Sequence, residues 1–225
     1  MKLSVIIPVY NEKATIAELI EHVRCVSLDK EIIVVDDCSV DGSREILKQI
    51  DDPSVAVYYH EQNRGKGAAV RTGIEHATGD YVIIQDADLE YNPQEYYKLL
   101  EPITAQLADV VYGSRFKGQM RDMSFVQRVG NRFLTLLTNV LYGTSLTDME
   151  TCYKLVPTSV MQGLKLRSRA FDFEPEVTAK LLKRGCRILE VPITYAARGS
   201  DEGKKISWTH GFPALWCLIK YRFVD

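Results

Sequence analysis

A chain of 225 residues with 46% hydrophobic and 26% charged residues has the makeup of an ordinary globular protein, long enough for one sizeable core. Its formal net charge of −2 argues against a nucleic acid polymer as partner. Five scattered cysteines (Cys25, Cys38, Cys152, Cys186, Cys217) form no CxxC pair and no metal-ligand spacing, which points to reduced thiols in a cytoplasmic protein.

Met1-Lys2 leads into Leu3 to Val9, an apolar run that reads as a buried strand rather than a cleaved signal. An amphipathic helix follows from Thr15 to Val26, then a strand from Ile32 to Asp36 and a helix from Ser43 to Ile50. Val55 to His60 and Gly65 to His76 repeat the strand–helix pair, and Tyr81 to Gln85 and Pro93 to Leu107 repeat it again. Continuous apolar strands with intervening helices predict an α/β fold, a mostly parallel central sheet with helices on both faces. Ligands on such sheets bind beyond the carboxyl ends of the strands. Tyr10-Asn11-Glu12, Asp36-Asp37 and Asp86-Ala87-Asp88 each follow a strand and stand where that rule points.

The second half is less regular. Asp109 to Gly113 predicts a strand, Phe125 to Tyr142 a long helix and Leu155-Val156 a short extended piece. Glu176 to Arg184 reads as helix and Arg187 to Tyr195 as strand, before a Gly- and charge-rich loop from Arg198 to Lys205. The last segment, Trp208 to Phe223, places Phe212, Leu215, Trp216, Ile219 and Phe223 on one helical face. That face either packs as core or lies in a lipid headgroup region, with Lys220 and Arg222 meeting anionic groups. No run reaches the 18 apolar residues of a membrane span, and no repeat or composition break divides residues 1–225 into two domains.

Chemistry concentrates in a few clusters. Two residues apart on an extended chain, Asp86 and Asp88 point to the same side and converge on one cation, with Glu90 adjacent. Mg²⁺ and Mn²⁺ are held in this way, by one or two carboxylates plus substrate phosphates. Asp36 can accept hydrogen bonds from a base or ribose, whereas Asp41 and Gly42 fit a turn. The glycine-rich stretch Asn63 to Ala69 lacks the P-loop spacing; it reads as a packing device, with Lys66 a candidate phosphate contact. Arg115, Arg128 and Arg198 with Lys204 and Lys205 form a set able to clamp phosphoryl oxygens, and Asp148 and Glu150 add acids remote from the aspartate pair. The four histidines form no ligand or triad pattern.

Pro8-Val9-Tyr10-Asn11-Glu12, Asp36 to Gly42, Gly79-Asp80 and Asp86-Ala87-Asp88 together resemble family 2 inverting glycosyltransferases. Gly113-Ser114-Arg115, Arg128 with Asn131, Thr147-Asp148, Glu174-Pro175-Glu176 and Glu190-Val191-Pro192-Ile193 with Arg198 narrow the likeness. They resemble dolichyl-phosphate mannose synthases and bacterial polyprenyl-phosphate sugar transferases. Many relatives carry glycine at the position of Cys152, a departure that touches the acceptor side.

The resemblance implies a single A-type glycosyltransferase domain, residues 1–107 forming the nucleotide-sugar-binding half and residues 108–225 the acceptor half. It implies that Pro8, Tyr10, Glu12, Asp36, Asp37, Lys66, Asp86 and Arg198 bind a nucleotide-diphospho-sugar. Asp86, Asp88 and Glu90 would then hold Mg²⁺ or Mn²⁺, and Asp88, Arg115, Arg128 and Asp148 would serve the transfer step. The implied acceptor is a polyprenyl phosphate, positioned by Arg115 and Arg128 and met by a cytoplasmic protein bound peripherally at the membrane face. Two alternatives stay open. One is transfer to a glycan or protein hydroxyl with Asp148 or Glu150 as base; the other is a non-catalytic nucleotide-sugar-binding module.

Overall fold

The computed structural model describes residues 1–170, 172–198 and 211–224. β1 (Leu3–Val9), β2 (Lys30–Asp36) and β3 (Val55–Tyr59) alternate with α1 (Ile16–Arg24) and α2 (Ser43–Leu47). Then come α3 (Lys66–His76), β4 (Tyr81–Ile84), a 3-10 turn at Pro93–Glu95, α4 (Tyr96–Thr104) and β5 (Val110–Ser114). The second half adds β6 (Met120–Arg121), α5 (Phe125–Tyr142), β7 (Lys154–Pro157), α6 (Thr158–Gly163), α7 (Phe173–Lys183), β8 (Ile188–Pro192), β9 (Tyr195–Ala196) and α8 (Gly211–Phe223).

Seven strands form one sheet in the order β3-β2-β1-β4-β7-β5-β8, and β6 pairs with β9 beside it. β1 runs parallel to β2 and β4, and β5 runs parallel to β8; β7 is antiparallel to both of its neighbours. Val5, Ile6 and Ile7 of β1 and Ile32, Val34 and Val35 of β2 have no exposed surface. Two-sided burial explains why their sequences are continuously apolar, and each such side chain contributes roughly 1.5–3 kcal/mol. α1 buries Ile16, Leu19, Ile20 and Val23, one face at helical spacing. α3 packs across β1 and β2, and a Cβ at its Gly73 would stand 2.4 Å from Ile6 Cγ2, so only glycine permits that approach.

The expected parallel core is present, and the departures have physical causes. Pro175 makes Glu176 look like a helix start, yet α7 begins at Phe173 because proline is tolerated in a first turn. The strand expected over Arg187 to Tyr195 divides into β8 and β9. Pro192 has no N–H for a ladder, and Thr194 N donates to Glu95 Oε2 at 2.8 Å instead. The short elements β6 and α6 carried no signal long enough to read.

Candidate active site

The carboxyl ends of β1, β2 and β4 open into a cavity of about 380 Å³ lined by Pro8, Tyr10, Glu12, Asp37, Lys66, Asp86, Asp88, Glu90 and Arg198, among others. This is the crevice that a parallel sheet offers. It unites residues up to 190 positions apart, as Pro8 and Arg198 illustrate.

Asp36 and Asp37 point to opposite sides of the strand end. Asp37 reaches the cavity wall, where it accepts hydrogen bonds from Arg64 N (2.9 Å), Gly65 N (2.7 Å) and His60 Nδ1 (2.6 Å). It thereby anchors the glycine-rich turn. Asp36 is fully buried and bound to Arg44 Nε at 2.7 Å. The residue expected to touch a nucleoside thus turns its carboxylate to Arg44 of α2 and is not among the cavity lining.

The glycine-rich turn is a packing device, as expected. A Cβ at Gly65 would stand 2.2 Å from Arg169 O and one at Gly67 2.6 Å from Ser168 O, so glycine lets this segment approach and bring Ala170 to the cavity. Lys66 Nζ bridges Asp86 Oδ1 and Glu174 Oε1, both at 2.8 Å. Burial opposes its charge, but the two carboxylates prevail and hold its pKa well above the ordinary lysine value.

β4 ends at Ile84, Asp86 follows two residues on, and Asp88 stands in the turn beyond it; Leu89 follows at φ 62°. Both still line the cavity, and Ala87 is buried between them. Burial, then the charges of Asp86 and Glu90, push the Asp88 carboxyl up to about 8 against the pull of Arg198. A desolvated acid among acids is the environment that a divalent cation relieves, so Asp86 and Asp88 fit Mg²⁺ or Mn²⁺ as partial ligands. Among the described residues no three His, Cys, Asp or Glu side chains converge as a metal cage. Glu90, expected as a third ligand, also lines the cavity, and its carboxylate accepts Tyr195 OH at 2.5 Å and Arg198 N at 2.9 Å.

Arg198 lies across the cavity. Its Nη2 reaches Glu12 Oε2 at 2.7 Å and its Nε reaches the Asp88 carbonyl at 2.9 Å. Residues 199–205 of the expected loop, Lys204 and Lys205 included, lie outside the described residues.

The acceptor-side expectations fare differently. Arg115 is buried and forms a fork with Asp148, Nε to Oδ2 and Nη2 to Oδ1 both at 2.7 Å, and its backbone N adds a third bond at 2.9 Å. Neither residue lines the cavity, and each is committed to the other. The guanidinium of this pair stands over the ring of Tyr195, a cavity residue, 5.2 Å from its centroid. Arg128 is exposed on α5 and does not line the cavity, whereas its neighbour Gln127 does.

Sequence reasoning missed Gln127, Ala170 and Tyr195 as cavity residues and Glu174 as the partner of Lys66. Only Glu174 stood in a motif already singled out. Cys152 packs beneath β4, its Sγ 3.3 Å from Ile84 O, and burial raises its thiol well above the usual range.

Glu150 keeps one buried oxygen, Oε1, without a partner among the described residues. Burial, then the charge of Glu174, raise its carboxyl from 4.5 to about 7, while Lys154 and Arg115 act in the other direction. A carboxyl raised on folding contributes stability that is full below pH 4.5 and lost as pH rises through about 7. Glu150→Gln is expected to flatten that decline. Thermal unfolding of both proteins from pH 4.5 to 8 checks it, and parallel curves would refute the shift.

A low-salt glycan biosynthesis hexosyltransferase of Haloferax volcanii is 29% identical over 229 residues, a match covering 99% of this chain. This chain spans only 53% of that relative's length. An undecaprenyl-phosphate mannosyltransferase of Micrococcus luteus is 29% identical over 215 residues, covering 91% of this chain and 87% of its own. The fold matches that of glucosyl-3-phosphoglycerate synthase from Mycobacterium tuberculosis, solved with Mn²⁺, uridine diphosphate and glucosyl-3-phosphoglycerate. The TM-score is 0.74 at 19% identity, with 100% of this chain and 81% of that chain covered. The expected A-type glycosyltransferase architecture is thus the observed one. Residues 4–164 match the profile described as glycosyl transferase family 2, and the chain belongs to that family.

Proposed function

We propose that the chain transfers a hexose from a nucleoside diphosphate sugar to a polyprenyl phosphate, with inversion at the anomeric carbon. The observation that carries this reading is the meeting of Asp86, Asp88, Lys66 and Arg198 in one cavity at the carboxyl ends of the parallel strands. Tyr10 offers a ring face at the mouth for a base, being 37% exposed. Arg198, held by Glu12, lines the cavity, where its guanidinium charge suits a diphosphate. When bound through Asp86 and Asp88, Mg²⁺ or Mn²⁺ supplies Lewis-acid stabilisation of the departing diphosphate, typically several kcal/mol. An acceptor phosphate oxygen forms the new bond to C1 as the C1–O bond breaks, and the electron pair leaves with the nucleoside diphosphate. A phosphate nucleophile is already anionic, so burial of Asp148 in its ion pair does not impair the step.

The acceptor class draws support from the undecaprenyl-phosphate mannosyltransferase relative and from the outer surface of α5 and α8. On α5, Val126, Val129, Phe133, Leu136 and Val140 recur at three- and four-residue steps and are 49–73% exposed. On α8, Ala214, Cys217, Leu218 and Tyr221 pack inward while Phe212, Trp216 and Phe223 are 65–79% exposed. Of the apolar face expected on the last segment, Phe212, Trp216 and Phe223 lie outward, whereas Leu215 and Ile219 are half-buried and Leu215 packs inward; residues 208–210 lie outside the described residues. Arg128, Arg132, Lys220 and Arg222 accompany these faces. Among the described residues no helix is long and apolar enough to cross a membrane. Peripheral binding to an anionic bilayer fits this surface.

Two experiments test the reading. A labelled nucleotide sugar with Mn²⁺ and polyprenyl phosphate in vesicles should yield label extractable into organic solvent. Label appearing only on a glycan or protein, or only as free sugar, rejects the acceptor, and no turnover leaves the binding-module alternative. In flotation with anionic vesicles, the wild type should rise and Phe133→Ser/Trp216→Ser should stay in the soluble fraction; equal flotation would reject membrane contact through α5 and α8.

A further inference from the structure

A second cavity, of about 480 Å³, lies between the end of α6 and the last turns of α7. Lys165, Arg167, Lys180, Lys183 and Arg184 all line it, in a chain whose net charge is −2. Such a concentration of cations is not a consequence of composition. We propose that this cavity is an anion site for a phosphate-bearing ligand, separate from the donor cavity.

The carboxylate nearest the cluster is already committed. Glu176 binds Lys180 Nζ at 2.6 Å and accepts the backbone N–H groups of Arg167 and Ser168 at 2.7–2.9 Å. It balances one cation, Lys180. Among the described residues Lys165, Arg167 and Arg184 enter no ion pair. Arg184 is held by a bond to Gly163 O, and a Cβ at Gly163 would stand 3.0 Å from its Nη1. Glycine there makes room for the guanidinium.

Cations at the end of α7 also complement the helix dipole, which accounts for Lys180, Lys183 and Arg184. It does not account for Lys165 and Arg167, which come from the α6–α7 connection. Lys165 is moreover held at φ 50°, a left-handed conformation uncommon for a residue other than glycine, asparagine or aspartate. Its carbonyl accepts Lys180 Nζ at 2.9 Å, which ties this connection to α7.

α7 connects this cavity to the first one. Its Glu174 contacts Lys66, and nine residues on, about 13 Å along the axis, Lys183 lines the second cavity. Lys183 Nζ also binds Val224 O at 3.2 Å, and Phe223 and Val224 are exposed. A bilayer headgroup and a free phosphate ester present the same chemistry here.

The test uses the full chain, inorganic phosphate and glycerol phosphate by calorimetry, and sedimentation with phosphatidylcholine vesicles with and without phosphatidylglycerol. Wild type is expected to bind a soluble probe or the anionic vesicles in a salt-sensitive manner. Lys165→Gln/Arg167→Gln should weaken that binding about tenfold or more while keeping the wild-type unfolding temperature. Lys66→Ala, which alters the donor cavity, should retain it. Loss of soluble-probe binding identifies a free phosphate ligand, loss confined to vesicles identifies a headgroup, and loss of both identifies the shared group. No binding by wild type, or equal binding by the double variant, overturns the proposal. Should the double variant unfold, Lys165→Gln alone is measured against the same outcomes.

Discussion

Replacing Asp88 with asparagine is expected to abolish the Mn²⁺-dependent part of nucleoside diphosphate binding and to reduce sugar transfer to background. In the metal-free chain Asp88 is a desolvated carboxyl facing Asp86 and Glu90, with Arg198 as the opposing charge. Asparagine keeps the shape, removes the like-charge repulsion and removes the anionic ligand. The unfolding temperature without metal should therefore stay level or rise, which separates lost ligation from lost folding. Titration of uridine, guanosine, cytidine and thymidine diphosphates, each with Mn²⁺ and with EDTA, provides the readout. If the variant responds to Mn²⁺ as the wild type does, Asp88 is not a metal ligand.

Asp148→Ala is expected to destabilise the fold by about 3–5 kcal/mol, the usual result of breaking one partner of a buried ion pair. Asp148 has no exposed surface and accepts three bonds from Arg115, whose guanidinium is buried with it. Burial alone would lower the Arg115 pKa, but Asp148 raises it well above the ordinary value, so the charge persists and must be matched. Removing Asp148 strands that charge. Chemical denaturation measures the loss. An Asp148→Asn variant of unchanged stability that has lost all activity would instead restore Asp148 as a participant in the reaction.

The two variants contrast residues that the sequence presents alike, an acid beside a motif. For Asp88 the reading held as far as the cavity, because strand-end position in a parallel sheet determines which edge a residue occupies. Asp36, Asp148 and Arg115 are instead buried in ion pairs. Their neighbours across the fold, Arg44 for the first and each other for the last two, are 8 and 33 positions away in sequence. No local pattern reports whether a charged side chain faces solvent or finds such a partner.

Short-range physics was legible throughout: the continuous apolar runs of β1 and β2, the helical period of α1 and α5, the turn role of the glycines, and the carboxyl-edge location of the cavity. These depend on contacts within one element, or on a rule common to all parallel sheets. Tertiary structure alone decided that Lys66 bridges Asp86 to Glu174, that Glu90 secures Tyr195 and Arg198, and that apolar side chains of α5 and α8 lie outward. Each outcome depends on packing between segments distant in sequence, where burial and charge pairing are determined by the whole fold.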